Sequence, residues 1–369
     1  MPRAYGFRVF IVEAYSNRKK DQTPLDCSSS SSVRNETLEL IERLHAKGTM
    51  RFPPRAPKDG EPDKPTQTAT MSAPVVVNQE VIHLEIATGE TGSHGFATHP
   101  VEPAMNIADR SAERPYLITL VFSPQTANRF VIVAQTAHRR DGLRRFLSML
   151  TQEGIVWKNE RRVAQEVLRE AAKTARHPLP TRRPESRLLF DANQASDNAF
   201  LDEILQGAKS ASATFTSRLG SNRGGEPDRV GRTLKISLVD DKQREIAPQV
   251  GRTWMGRKRR GDATSTKEGV SEVSALLESE NLLDEHEGDR YDEVSLSIRS
   301  ASNETTTIAV DTLRDVFTYP VSDGSPGIKF YYEQVAARLH TIAMQDGLHL
   351  NPIDPDEVEE CLRVLIPDR

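Results

Sequence analysis

The sequence predicts an α+β protein of mostly antiparallel sheets with packed helices, divided into two domains. Three observations predict it. YLITLVF (116–122) and FVIVA (130–134) are apolar, strand-forming runs joined by the turn residues of SPQTANR, the pattern of an antiparallel hairpin. Other stretches place apolar residues at helical spacing, and their order among the strands is irregular rather than a repeating strand–helix–strand series. The length, 369 residues, exceeds that of a usual single domain, and the proline-rich HPLPTRRPESR (177–187) breaks the chain near its middle. The expected division is an N-terminal domain over 1–177 with basic helices, a linker over 178–187, and a C-terminal domain over 188–369 that turns acidic toward its end.

The elements follow in chain order. Tyr5 to Ala14 carries the apolar block Val9, Phe10, Ile11 and Val12 and reads as a strand, not as a secretion signal, because Arg8 and Glu13 interrupt the run. The serine-rich QTPLDCSSSSS offers hydroxyls but little to bury, which predicts a mobile loop. Asn35 is then a helix cap, with Leu38, Ile41 and Leu44 spaced along one face before Gly48. The proline-rich stretch from Arg51 to Pro74 predicts a long exposed connection, and PVVVNQEVIHLEIATG one or two strands.

After the hairpin, Leu143, Phe146, Leu147 and Leu150 make a buried helical stripe, with Asp141 as its cap and Gly154 as its end. A second helix is expected from Asn159 to about Arg176, turning Ala164, Val167, Leu168, Ala171 and Ala172 inward. In the second half LLFDA, ATFTS, RTLKISLV, EVSLSIR and TTIAVDT read as strands. ASDNAFLDEILQGA, EGVSEVSALLESEN, Lys329–Gln345 (Phe330, Val335, Leu339 and Ile342 inward) and DPDEVEECLRVL read as helices.

Charge is unevenly distributed. The whole chain carries a formal −4, yet Arg129 to Arg187 holds fourteen Arg or Lys against six Asp or Glu, a balance of +8. Glu268 to Arg369 holds seven against twenty-two, a balance of −15. In the basic region Arg162, Arg169, Lys173 and Arg176 follow helical spacing, and Arg139, Arg140, Arg144 and Arg145 crowd the stretch HRRDGLRR. Arg257, Lys258, Arg259 and Arg260 form a further loop-like cluster. Guanidinium forks match phosphate oxygens, and several together release counterions from a polynucleotide. These twelve residues are the candidate DNA contacts, of a kind that grips backbone without reading bases. The bland alternative is a salt-bridged solvent face, since Glu166 and Glu170 stand one turn from Arg162, Arg169 and Lys173.

Chemistry-bearing groups are sparse. His83 and Glu85 share a strand face with His94 and His99 close in sequence, a donor set that suits zinc, but the spacing matches no sharp motif and a satisfied strand histidine with two loop histidines is the preferred reading. Asp240, Asp241 and Lys242 weakly resemble the carboxylates and cation of a metal-dependent nuclease, but the adjacent DDKQRE run and the missing second acidic strand favour an exposed hairpin turn. RLGSNRGGE reads as a flexible turn. No phosphate-loop, nucleophile-elbow or zinc-protease motif is present, so no catalytic residue, metal or cofactor is assigned. Two cysteines and no apolar run of membrane-spanning length lead to the expectation of a cytoplasmic protein.

The amino-terminal strand and helix, the strands through LITLVF and RFVIVA, and the basic helix DGLRRFLSML resemble the layout of phage-exclusion DNA-binding proteins of the RexA type. The resemblance covers the first half of the chain and carries no residue assignment. It implies a dimer that binds duplex DNA without strong sequence preference, senses a phage replication or recombination structure, and acts with a separate membrane effector. The reading from sequence is thus a non-enzymatic duplex-DNA binder and homo-oligomer, a phage-defence sensor by resemblance. A metal-dependent nuclease and an interaction scaffold with oppositely charged halves are the alternatives.

Overall fold

A computed structural model describes residues 4–16, 23–52, 66–91, 96–97, 105–106, 111–138, 140–174, 187–195, 208–219, 229–238, 250, 266–284, 287–300, 305–309 and 317–365. Over these the protein is α+β, with antiparallel pairing throughout its named strands.

The chain forms two compact units, and they do not divide it into halves. One comprises residues 3–195 and 319–369; the other, 196–318, is inserted between them. The expected boundary at 178–187 is therefore replaced by two crossings, near 195 and 318. The reason is pairing: β11 (Leu188–Gln194) and β16 (Tyr319–Ser322) both hydrogen-bond to β1 (Tyr5–Ser16). A strand edge at the chain's start thus recruits segments that sequence order assigned to the second domain.

In the larger unit a ten-stranded sheet runs in the order β11, β1, β9 (Phe130–Ala137), β8 (Ser111–Val121), β5 (Val81–Thr91), β3 (Thr66–Met71), β2 (Met50–Phe52). Short strands β4 (Val75–Val76) and β10 (Arg140–Asp141) pair with β5 and β9, and β6 (Phe96–Ala97) pairs with β7 (Met105–Asn106). The expected β8–β9 hairpin is present, with Ile118 opposite Ala134. β1 is buried on both faces, which is why its sequence is a continuous apolar run rather than an alternating one.

Phe10, Val12 and Ala14 join Ile118, Leu120 and Ile132 in a core sealed by α1 (Ser32–Lys47), through Leu40 and Leu44, and by α2 (Leu143–Thr174), through Phe146 and Leu150. Phe7 turns the other way, stacking on Tyr319 at 4.9 Å and meeting Tyr331 edge-on. That tyrosine lies on α4 (Ile328–Gln345), which packs with α5 (Pro355–Leu365). Val335, Leu339 and Ile342 point inward as expected, whereas Phe330 is exposed.

The inserted unit holds a four-stranded sheet in the order β13 (Arg229–Leu238), β12 (Ala208–Leu219), β14 (Glu293–Ser300), β15 (Thr305–Ala309). Helix α3 (Thr266–Ser279) packs on β14. The helix expected over ASDNAFLDEILQGA lies outside the described residues except at its ends, where Ala208 begins β12.

Three local readings are corrected. The serine-rich segment is not loose: Cys27 is buried, its N–H donates to the Ala127 carbonyl at 2.6 Å, and Ser29 N–H donates to Ser123. Ser31, not Asn35, caps α1, accepting from Arg34 N–H at 3.2 Å. The third correction concerns α2, which is one helix of 32 residues where two were expected. Gly154 does not end it, because the glycine sits in the helical interior with a Cβ position only 3.8 Å from Arg187 Cβ and 4.0 Å from the Leu188 carbonyl. It lies where the start of β11 passes the helix at ordinary van der Waals distance, so it is an interior helical position rather than a cap.

Candidate nucleic-acid interface

Continuity of α2 decides where its cations stand. At about 100° per residue, Arg144, Lys158, Arg162, Arg169 and Lys173 fall within a sector of roughly 60° on one face. Arg144 to Lys173 spans about 44 Å at 1.5 Å rise per residue, longer than the roughly 34–36 Å turn of B-DNA. Arg144, Arg162 and Lys173 are exposed, and Arg169 and Lys158 half-exposed. Lys173 is bonded to Glu170 at 2.5 Å, an exposed pair of small net strength that leaves the ammonium in water.

The helix begins and is held as its sequence dictates. Asp141 accepts from Leu143 N–H at 3.1 Å and pairs with Arg8 at 2.8 Å. Across the seam with α1, Glu153 is almost wholly buried and accepts from Arg43 Nε at 2.9 Å and from Lys47. Arg43 also reaches Glu160 at 2.6 Å. Trp157 lies between Arg43 and Arg161, whose guanidinium stands 4.1 Å from its ring centroid, and Arg161 approaches Glu36 at 3.8 Å. Beyond Arg161 the helix leaves this anchorage.

Of the candidate DNA contacts, Arg144, Arg162, Arg169 and Lys173 are brought onto one line. Arg140 is exposed on β10, beside the start of the helix. Arg145 is turned away: its guanidinium covers the Phe52 ring at 4.0 Å and donates to Gln67, joining the helix to the sheet edge. Burial, and secondarily Arg144, lowers its pKa from the usual arginine value. Arg139, Arg176, Arg257, Lys258, Arg259 and Arg260 lie outside the described residues. Lys158 was missed because a helix broken at Gly154 puts it in a loop. Extending the register of Leu143, Phe146 and Leu150 through the glycine would have found it.

The proposed metal donors fare differently. His83 is wholly buried on β5, where the Tyr332 hydroxyl shares a hydrogen bond with its Nδ1 and another, of 2.5 Å, with the Thr119 hydroxyl. Burial drives the His83 pKa down to about 4, so the ring is neutral and serves the contact between sheet and α4. The structural reading of this histidine is the one the geometry supports. Among the described residues no group of three or more His, Cys, Asp or Glu is placed to hold a metal. His94, His99, Asp240, Asp241, Lys242 and the glycines of RLGSNRGGE lie outside the described residues. No helix among the described residues is long and apolar enough to cross a membrane.

Compared with known proteins, the chain matches no protein-family model, and no curated protein or solved structure is significantly similar to it.

Proposed function

We propose that this protein is a non-enzymatic binder of duplex DNA that grips the phosphate backbone along the basic face of α2. One observation carries the reading: five cations lie on a single face of one uninterrupted helix over about 44 Å. Such a row can meet several phosphates of a duplex and release their counterions, without reading bases. Arg140, exposed on β10 just before α2 begins, adds a further cation near that end. The resemblance of the first half of the sequence to phage-exclusion proteins of the RexA type extends the proposal to a sensor of phage DNA acting with a separate membrane effector.

Titration of a labelled 20-base-pair duplex at several salt concentrations tests the reading. Five phosphate contacts give a slope of log K against log salt of about −4.5. Absence of binding at 50 mM salt overturns the proposal. The same duplex is expected to stay intact with magnesium present, and cutting would show that the protein is an enzyme.

A further inference from the structure

From Arg162 to Thr174 no residue of α2 is buried. The inward face that spacing predicts here is corrected, because Ala164, Val167, Leu168 and Ala171 are exposed and Ala172 is half-exposed. The cations of this uncovered half are unevenly spaced. Lys158 and Arg162 form one i,i+4 doublet, and Arg169 and Lys173 form a second, eleven residues further on. Eleven residues are about three turns, so the doublets face the same way, with midpoints about 16.5 Å apart. Between their inner members, Arg162 and Arg169, the gap is about 10.5 Å. Glu166, an exposed carboxylate turned toward the same side, falls within that gap.

We propose, on the basis of the DNA-binding reading, that α2 crosses the major groove of a duplex, Lys158 and Arg162 gripping the phosphates of one strand and Arg169 and Lys173 those of the other. Width is the first argument. The major groove of B-DNA is about 12 Å wide and the minor groove about 6 Å, and the gap between the doublets matches the wider one. Placement is the second. A helix lying within a groove meets phosphates on both its flanks. These four cations instead share a sector of roughly 60°, so the helix passes over the groove with both strands beneath one face. Charge is the third. A row that followed one strand would set Glu166 against phosphates, whereas over a groove its carboxylate stands above the opening, away from both backbones. The exposed pair of Lys173 with Glu170 is weak enough for a phosphate to replace. Arg144, about 21 Å before Lys158, adds one contact to one of the two strands.

Titration of the full chain with a 20-base-pair duplex, one strand of which carries neutral methylphosphonate linkages, tests the crossing. Such a duplex has the charge density of a single strand, at which each contact contributes about −0.7 to the slope of log K against log salt. A crossing helix keeps at most three cations on the charged strand, so a slope of about −2 is expected whichever strand is neutralised. A helix that follows one strand keeps all five on the intact strand, with a slope near −3.5. That result overturns the proposal and leaves the DNA binding standing. On the unmodified duplex, methyl green, which occupies the major groove, is expected to weaken binding more than tenfold, and distamycin, which fills the minor groove, to leave it unchanged. The reverse pattern overturns the proposal. Absence of binding to the unmodified duplex overturns both the crossing and the reading it rests on.

Discussion

Arg43 donates from Nε to the Glu153 carboxylate at 2.9 Å, fixing α1 to α2 about two turns before the second helix leaves its anchorage. The carboxylate side chain is 1% exposed and the guanidinium 28%. Removing a partner of a buried carboxylate commonly costs about 3–5 kcal/mol. Lys47 remains beside Glu153 and Arg43 is partly hydrated, so Arg43→Ala is expected to cost about 2 kcal/mol in urea unfolding. A loss below about 0.5 kcal/mol would show that this seam does not anchor the helix.

Gly154 offers a direct test of helix continuity. A Cβ there meets Arg187 and Leu188 only at ordinary van der Waals distance. Gly154→Ala is thus expected to stabilise the protein by about 0.5–1 kcal/mol, the helix-interior advantage of alanine. Were Gly154 a left-handed helix end, the same substitution would lower the unfolding midpoint.

Arg162 and Arg145 are predicted to behave differently although both belong to the basic region. Arg162→Ala should weaken duplex binding several-fold and reduce the salt slope by about 1. Arg145→Ala should leave the slope unchanged and instead cost about 1 kcal/mol of stability, because its guanidinium covers Phe52. Equal effects of the two substitutions on the salt slope would contradict the single-face interface.

His83 sets a pH dependence. Its pKa falls from the ordinary 6.5 to about 4 through burial. The unfolded chain therefore takes up a proton below about pH 6.5 while the folded chain does not, and stability is lost as pH falls from 6.5 toward 4. The loss across that window is about 3 kcal/mol at 1.36 kcal/mol per pH unit. Urea unfolding at pH 7, 6, 5 and 4.5 should show this decline, and His83→Asn should remove that part of it. A wild-type protein equally stable at pH 7 and 4.5 would refute the buried neutral imidazole.

Much of the local structure is legible in the sequence because its signals repeat within a few residues. The alternation and turn residues around SPQTANR specify the β8–β9 hairpin, and the spacing of Ile41 and Leu44, or of Val335, Leu339 and Ile342, specifies a helix with a buried face. The candidate interface was half legible. Arg162, Arg169 and Lys173 show their common face in the sequence, whereas Arg144 and Lys158 join it only when the helix runs through Gly154. Arg145 could not be told from Arg144 by spacing alone, since its partner Phe52 is supplied by another strand.

By itself, then, the sequence determined the α+β class, the apolar stripes of the helices and the charged faces opposite them, all consequences of short-range periodicity. Tertiary structure decided the rest. It set β1 beside β9, β11 and β16, drawing residues 319–322 across more than three hundred positions to the first strand and making 196–318 an insertion. It also decided that the α2 stripe is covered through Leu150 and Glu153 and left open from Val156 onward. A strand's hydrogen-bond partner and a stripe's cover are contacts made across the chain, where closing the intervening loops is compensated only once the whole sheet and its helices assemble.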